Sequence, residues 1–278
     1  MTVPDLKQRD DIATHMGDKL KGRVAFVTGG TRGIGAAICR NLASQSATVA
    51  AGYAGNDKAA ERFSNAFSAS YGARVTVHKG NVADAPDCRR TIEEVIATHG
   101  RLDILVNNAG ITIDKTVLKM SDDDWYKVIN VNLSGAFFLS QAALRHMADR
   151  GTGRIVNVSS VIGETGNIGQ SNYAASKSGL FGLTKTLARE AAFLLARAGK
   201  LNEPDGVGLT VNTVTPGFIA TEMLERIPPK VLEKIVAQIP LGRLGKPEEV
   251  ARVVHFLAAD ASSFITGQVW GVNGGMDM

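Results

Sequence analysis

Within the stretch SSVIGETGNIGQSNYAASK stand Ser160, Tyr173 and Lys177, three side chains that together could hand a proton to a carbonyl oxygen without a metal or a histidine. Tyr173 and Lys177 are four apart. The composition of ASKSGLFGLTKTLARE reads as helix, which puts both side chains on one face, one turn apart. A phenol ordinarily titrates near roughly 10, so bringing it into use near neutrality takes about 3 units, or about 4 kcal/mol. A lysine cation one turn away is the expected source of much of that shift. The same spacing also occurs in ordinary surface pairs, so the elements that hold these residues must decide between the two readings.

The segment VAFVTGGTRGIGAAICRNLA points to a bound nucleotide. Val24 to Val27 form a short apolar run that ends at Thr28 and glycines, after which Ile34, Ala37, Ile38 and Leu42 recur at helical spacing, giving strand, turn and helix. Gly29, Gly33 and Gly35 fall in the turn, where missing β-carbons let main-chain amides approach a pyrophosphate at a helix N-terminus. The spacing is GxxxGxG rather than the commoner GxGxxG, and its position after the first strand of an alternating chain strengthens it.

Length and composition bound the rest. The chain has 278 residues, 44% hydrophobic and only 6% aromatic, which suits one sheet-and-helix domain packed with alanine and valine. Neither a membrane-length apolar run nor an apolar signal core is present, so a cytoplasmic enzyme is expected. Cys39 and Cys88 are far apart without CxxC spacing and read as reduced structural thiols. His15, His78, His99, His146 and His255 lack ligand spacing, so no metal site is expected. The net charge of +4 suits small polyanions, and the basic residues form no arm of the kind that binds nucleic acid.

Seven apolar runs, VAFVT, ATVAAGY, ARVTVHKG, LDILVNNAG, RIVNVSS, LTVNTVTPG and QVWGVNGG, alternate with helical patterns. They predict an α/β, single-domain, doubly wound Rossmann fold: a seven-stranded parallel sheet with helices on both faces. Ligands of such sheets bind at the carboxyl ends of strands. Gly29, Asn81, Asn107 to Gly110, Ser160 and Pro216-Gly217 all follow strands.

Over roughly residues 22–278 the chain resembles the short-chain dehydrogenase/reductases, through TGGTRGIG, NNAG, Asn132 in VNLSGAFF, Ser160, Tyr173xxxLys177 and PGFIATEM. The resemblance implies a tetrad of Asn132, Ser160, Tyr173 and Lys177. It also implies a cofactor held by Gly29, Thr31, Arg32, Gly33, Ile34, Gly35, Asn81, Val82, Asn108, Ala109, Gly110, Tyr173, Lys177, Pro216, Gly217, Ile219 and Thr221. In that scheme Ser160 steadies the substrate oxygen, Tyr173 donates the proton, Lys177 binds ribose hydroxyls and favours phenolate, and Asn132 serves a proton relay. Asn132 reads as mid-helix, where a local water site and a residue satisfied by backbone are equally open. The end of the second strand reads AAGYAGND; Gly52, Tyr53 and Ala54 supply no acid, and Arg32 supplies a cation, so NADP(H) is expected. The alternative has Asp57 reaching back to hold NAD.

KGNVAD, MADRGTGRIVNVSSV, GQSNYAASKSGL, VLEKIVAQIPLGRLGKPEEVA and the ending VNGGMDM resemble most closely the 3-oxoacyl-acyl-carrier-protein reductases and acetoacetyl-CoA reductases. That branch implies NADPH-dependent reduction of a 3-ketoacyl thioester, of CoA or of acyl carrier protein, to the (R)-3-hydroxy product. Ser160, Ile168, Gln170, Tyr173 and Phe218 are the expected substrate residues, although Ile168 and Phe218 replace the Phe and Tyr expected of the CoA enzymes. Arg150, Arg154, Arg189 and Arg197 are either phosphate contacts or solvated charges. Reduction of a non-thioester ketone or sugar, and a non-catalytic dinucleotide-binding scaffold, are the competing readings. Residues 1–21 form an extension with Leu6, Ile12, Met16 and Leu20 loosely at helical spacing, and 193–208 is expected to prolong the catalytic helix before a surface loop. A homotetramer is the family expectation, without a membrane or nucleic-acid partner.

Overall fold

In the computed structural model, which describes residues 17–71, 75–201, 207–222, 224 and 228–278, strand β1 (Val24–Val27) is buried along its whole length. Its side chains alternate between two apolar layers, as a strand's period of two requires. Ala25 and Val27 join the cluster that contains Ile38, Leu42, Val250, Val254 and Leu257. Val24 and Phe26 join the other, with Ile92, Val95, Leu139, Met147, Leu187 and Ala191. Being covered on both faces is what makes the strand read as an unbroken apolar run.

The other strands are β2 (Thr48–Tyr53), β3 (Val75–Lys79), β4 (Ile104–Asn107), β5 (Gly153–Val158), β6 (Leu209–Pro216) and β7 (Val269–Val272). They form one parallel sheet in the order β3-β2-β1-β4-β5-β6-β7, the architecture expected from the sequence. Helices α1 (Gly33–Ser44), α2 (Asp57–Tyr71) and α9 (Pro247–Ala258) supply one layer, and α3 (Ala85–His99), α5 (Gly135–Arg150) and α7 (Ser171–Arg197) the other. Shorter helices α4 (Asp122–Ile129), α6 (Ile162–Thr165) and α8 (Pro229–Ala237) lie between them in sequence. The chain lays β2 and β3 on one side of β1, then crosses to β4 on the other. Loops leaving β1 and β4 therefore diverge and open a crevice at their carboxyl ends.

One sequence expectation needs correction here. Asn132 does not sit in a regular helix: Asn130–Ser134 form a π-helical turn between α4 and α5, an irregularity that local propensity does not announce. The last residues of the 1–21 segment pack on the domain. Leu20 is fully buried in the α1 cluster, and the amides of Gly17 and Leu20 donate to the carbonyls of Ser44 and Gln45. Leu6, Ile12 and Met16 of the extension, residues 202–206 of the 193–208 segment and Met223 lie outside the described residues. Phe193, Leu194 and Leu195 do prolong α7, which is 27 residues long.

Candidate active site

Ser160 stands two residues beyond β5, and Tyr173 and Lys177 stand in the first two turns of α7. What joins strand end to helix is a set of contacts with almost no slack. A β-carbon on Gly163 would come within 2.9 Å of the Lys177 backbone, so α6 seats directly on α7. The Ser178 hydroxyl donates to the Gly163 carbonyl, and that of Ser159 to the Lys177 carbonyl at 2.7 Å. Ser160, itself buried, accepts from the Ile162 amide at 3.2 Å and shares a hydrogen bond with the Tyr173 hydroxyl.

The electrostatics differ from the sequence expectation. Burial pushes the Tyr173 phenol above its ordinary value; the Ser160 hydrogen bond pulls the other way, and the Asp114 charge adds to the rise. Lys177 does not supply the lowering expected of it. Its ammonium lies 5.7 Å from the centre of the Tyr173 ring and donates to the Val158 carbonyl at 2.8 Å instead of reaching the hydroxyl. Burial lowers the lysine itself to about 8. The reason is geometric: one turn apart on a helix brings two side chains together, but a strand-end carbonyl 19 residues away offers the ammonium a closer partner.

Asn132 is buried and satisfied. Its Nδ2 donates to the Ile111 carbonyl and to Ser176 Oγ, both at 3.0 Å, while its Oδ1 accepts from the Ile111 amide at 2.9 Å. The π-helical turn aims it there. Oδ1 and the Lys177 ammonium both stand 3.4 Å from where a β-carbon on Gly110 would be, so that glycine keeps the space between them open. Asn132, Ser160, Tyr173 and Lys177 are thus brought together from three separate elements.

Sequence reasoning missed Asn172 and Ser176, which position the tyrosine. Buried Asn172 donates to the carbonyls of Ile113 and Asp124, each at 3.2 Å, and accepts from the Tyr173 amide at 2.7 Å. Ser176 donates to the Tyr173 carbonyl at 2.7 Å. The available signal was their position on either side of Tyr173 in SNYAASK, on turns that must face the α4 and π-helical segment.

The glycine loop fits a dinucleotide. Gly29 and Gly33 have φ of 60° and 51°, the left-handed region that favours glycine. A β-carbon on Gly35 would lie 2.1 Å from the Gly29 carbonyl oxygen, which no side chain tolerates. Helix α1 has neither a side-chain cap nor an acidic residue in its first turn, which leaves its leading amides for an anion. Thr31, Arg32 and Ile34 complete this loop and first turn. Asn108 and Ala109 are tied to it: both amides donate to Thr28 Oγ1 at 2.9 Å, and Asn108 Nδ2 donates to the Thr28 carbonyl at 2.8 Å. Asn81 and Val82 form the turn after β3, where Val82 presses so closely on Gly135 that a β-carbon there would sit 2.5 Å from its carbonyl oxygen. From Pro216 and Gly217 the chain returns over the loop: Ile219 bridges to Gly245, and the Thr221 methyl lies 3.7 Å from the β-carbon position of Gly33.

A cleft of about 860 Å³ opens beside this loop, lined by Thr31, Arg32, Gly33, Thr221 and residues of α1, α2 and α8; the tetrad stands outside its wall. Of the expected substrate residues, Gln170 donates to Asp114 Oδ1 at 3.0 Å on the tetrad's rim, and Ile168 is 91% exposed on the same rim. Phe218 faces elsewhere, into a 220 Å³ cavity with Ile239, Leu241 and Arg243. Arg154 and Arg150 are not phosphate contacts. Arg154 is buried at the amino end of the sheet, donating to the carbonyls of Gly153, Val207 and Gly208, and Arg150 reaches Asp103 at that same end. Arg189 and Arg197 lie 16 and 24 residues beyond Tyr173 on α7, roughly 24 and 36 Å along the axis. Among the described residues no cluster could hold a metal ion, and no helix is long and apolar enough to cross a membrane.

Comparison with known proteins places the chain in a family. Residues 29–277 match a family model described as enoyl-(acyl carrier protein) reductase. An acetoacetyl-CoA reductase of Rhizobium meliloti is 48% identical over 254 residues, covering 91% of this chain and 98% of its own. A 3-oxoacyl-acyl-carrier-protein reductase of Thermotoga maritima is 45% identical over 260 residues, covering 93% and 99%. The acetoacetyl-CoA reductase of Cupriavidus necator is 43% identical over 256 residues, covering 92% and 98%. The strand-end glycine loop, the tetrad and these relatives together make this chain a member of the short-chain dehydrogenase/reductase family.

Proposed function

We propose that the protein reduces a 3-ketoacyl thioester to the (R)-3-hydroxyacyl thioester with NADPH. The observation that carries this reading is the convergence of buried Ser160 and Lys177 with Tyr173 beyond the end of β5, in a chain whose relatives are named for reduction of acetoacetyl-CoA and 3-oxoacyl-carrier protein. The glycine loop, with Asn108 and Ala109 tied to it, would hold a nicotinamide dinucleotide, which would supply the hydride. Ser160 holds the ketone oxygen, and Tyr173, a phenol that burial keeps protonated well above neutral pH, hands over its proton as negative charge develops on that oxygen. Lys177, its ammonium 5.7 Å from the Tyr173 ring centre, would bind the ribose hydroxyls of the cofactor and keep a positive charge near the phenolate. Asn132, fixed by Ile111, faces the Lys177 ammonium across the space that Gly110 leaves open, where a water could return the proton.

NADP(H) over NAD(H) is supported by the end of β2. The Asp57 carboxylate, on the first turn of α2, is turned to Lys79 at 3.0 Å. Arg32 stands exposed at the start of α1. The buried free thiols Cys39 and Cys88 accord with a reducing cytoplasm. We further infer a homotetramer. Strand β7 is an edge with one neighbour, and Phe256 and Trp270 stack beside it while exposed; Tyr126 and Phe137 on α4 and α5, and Phe193 on α7, are exposed as well. Light scattering should give four chains.

The test is NADPH oxidation with acetoacetyl-CoA, 3-oxoacyl-carrier proteins and a panel of cyclic ketones and sugars. Thioesters are expected to give the highest kcat/KM; turnover of ketones or sugars alone would overturn the substrate assignment.

A further inference from the structure

Three guanidinium groups stand on the wall of the cleft beside the glycine loop: Arg32 from the loop, Arg40 from α1 and Arg62 from α2. Arg40 approaches Glu248 at 3.8 Å. Arg32 and Arg62 form no ion pair or side-chain hydrogen bond among the described residues. Arg62 is held towards the cleft by its helix. Ala59, Arg62 and Phe63 share one face at spacings of three and four, all line the cleft, and Phe63 is anchored by packing on the α1 cluster. Two cations facing one partly enclosed space repel each other, and the repulsion grows as water is excluded. An anion between them reverses its sign, and guanidinium groups are shaped to bind phosphate oxygens in pairs.

We propose that Arg62 is a second phosphate-binding residue of the cofactor site, sharing with Arg32 the monophosphate carried on the adenosine ribose of NADP. Selectivity over NAD then rests on two arginines from two elements, the glycine loop and the second turn of α2. Asp57, the acid nearest the end of β2, is kept out of the way by Lys79 and Tyr53. This inference rests on the NADP(H) reading above.

The test is calorimetric titration of the full chain with adenosine 2′,5′-bisphosphate and, separately, with AMP, which lacks the ribose phosphate. The unaltered protein should bind the bisphosphate more tightly. Arg62→Gln should weaken the bisphosphate by about tenfold, as loss of a charge-assisted contact would, and leave AMP where it was. Arg62→Lys should recover part of the loss, keeping the charge without the fork. Arg32→Gln should show the same selective loss. Equal weakening of both nucleotides in Arg62→Gln, or discrimination as strong as in the unaltered protein, removes Arg62 from the site and leaves the NADP(H) reading standing. If the unaltered protein binds the two nucleotides equally, that reading fails and takes this one with it.

Discussion

The two ends of the sheet carry charge in opposite styles. At the amino end, Asp103 is buried and surrounded: Arg101 grips it with two hydrogen bonds of 2.7 Å, the Val24 amide donates at 2.9 Å, Arg150 lies at 3.2 Å and Arg23 at 3.6 Å. Burial pushes its carboxyl up, and these partners more than offset that, leaving it below the usual carboxylate range. Arg154 has its donors filled by backbone carbonyls, although burial lowers it to about 10. At the carboxyl end, Tyr173 and Lys177 have pKa values moved by burial with no full counter-charge, and Arg32 and Arg62 face open space. The difference separates scaffold from site. A charge whose partners are all within the chain holds the chain together, whereas one left without them is available to a ligand.

The largest effect should come from the carboxyl end. Tyr173→Phe removes the proposed proton donor and should lower kcat by about a thousandfold, the scale of lost general acid catalysis, with little change in the melting temperature. A variant that keeps normal turnover would break the contrast at once. At the amino end the outcome should be reversed. Asp103→Asn takes the carboxylate from Arg101 and Arg150, with Arg23 keeping Asp260, and should destabilise the fold by about 3 kcal/mol in urea unfolding, while the protein that remains folded keeps its kcat/KM. Loss of turnover without loss of stability would place Asp103 with the site instead.

A pH profile sharpens the comparison. Lys177, lowered from its ordinary value to about 8, is charged below that pH and neutral above it. Thioester reduction should therefore fall as pH rises through about 8, seen as the alkaline limb of kcat/KM, which reports groups of the free enzyme. A limb unmoved from roughly 10 would mean that the ammonium is not required. The smallest effect concerns Glu249, lowered to about 2 chiefly by the Arg243 side chain at 2.6 Å. Its folded pKa is depressed, so its stabilisation is present above roughly 4.5 and disappears as pH falls towards 2. With the pair half open to solvent, Arg243→Ala should cost about 1 kcal/mol at pH 7 and little at pH 2.5, by thermal or urea unfolding.

Much of this was legible in the residues. Strand positions could be read because burial on both faces leaves unbroken apolar runs, as in VAFVT and LDILV. The loop could be read because Gly35 admits no β-carbon beside the Gly29 carbonyl, a constraint that composition displays directly. Asn172 and Gly163 were not legible, since each takes its meaning from a contact with a segment that the sequence places elsewhere: Asn172 from Ile113 and Asp124, Gly163 from Lys177. The four candidate phosphate arginines show the same limit. Charge is visible in sequence, but which end of a strand or helix it faces is not.

By itself, then, the sequence determined the order of strands and helices, the glycine turn, and the presence of a serine, tyrosine and lysine able to protonate a carbonyl. These follow from periodicity and from the absence of side chains at fixed spacings, which are local properties. Tertiary structure alone decided that Lys177 turns to Val158, that a π-helical turn aims Asn132 at Ile111, that Arg154 is buried structure and that Arg62 lines the cleft beside the glycine loop. Each depends on a partner brought up by the crossing of the chain from β3 to β4 or by the packing of α7 on the sheet. Hydrogen bonds and ion pairs go to whichever group folding brings within about 3 Å, and no local rule supplies that neighbour.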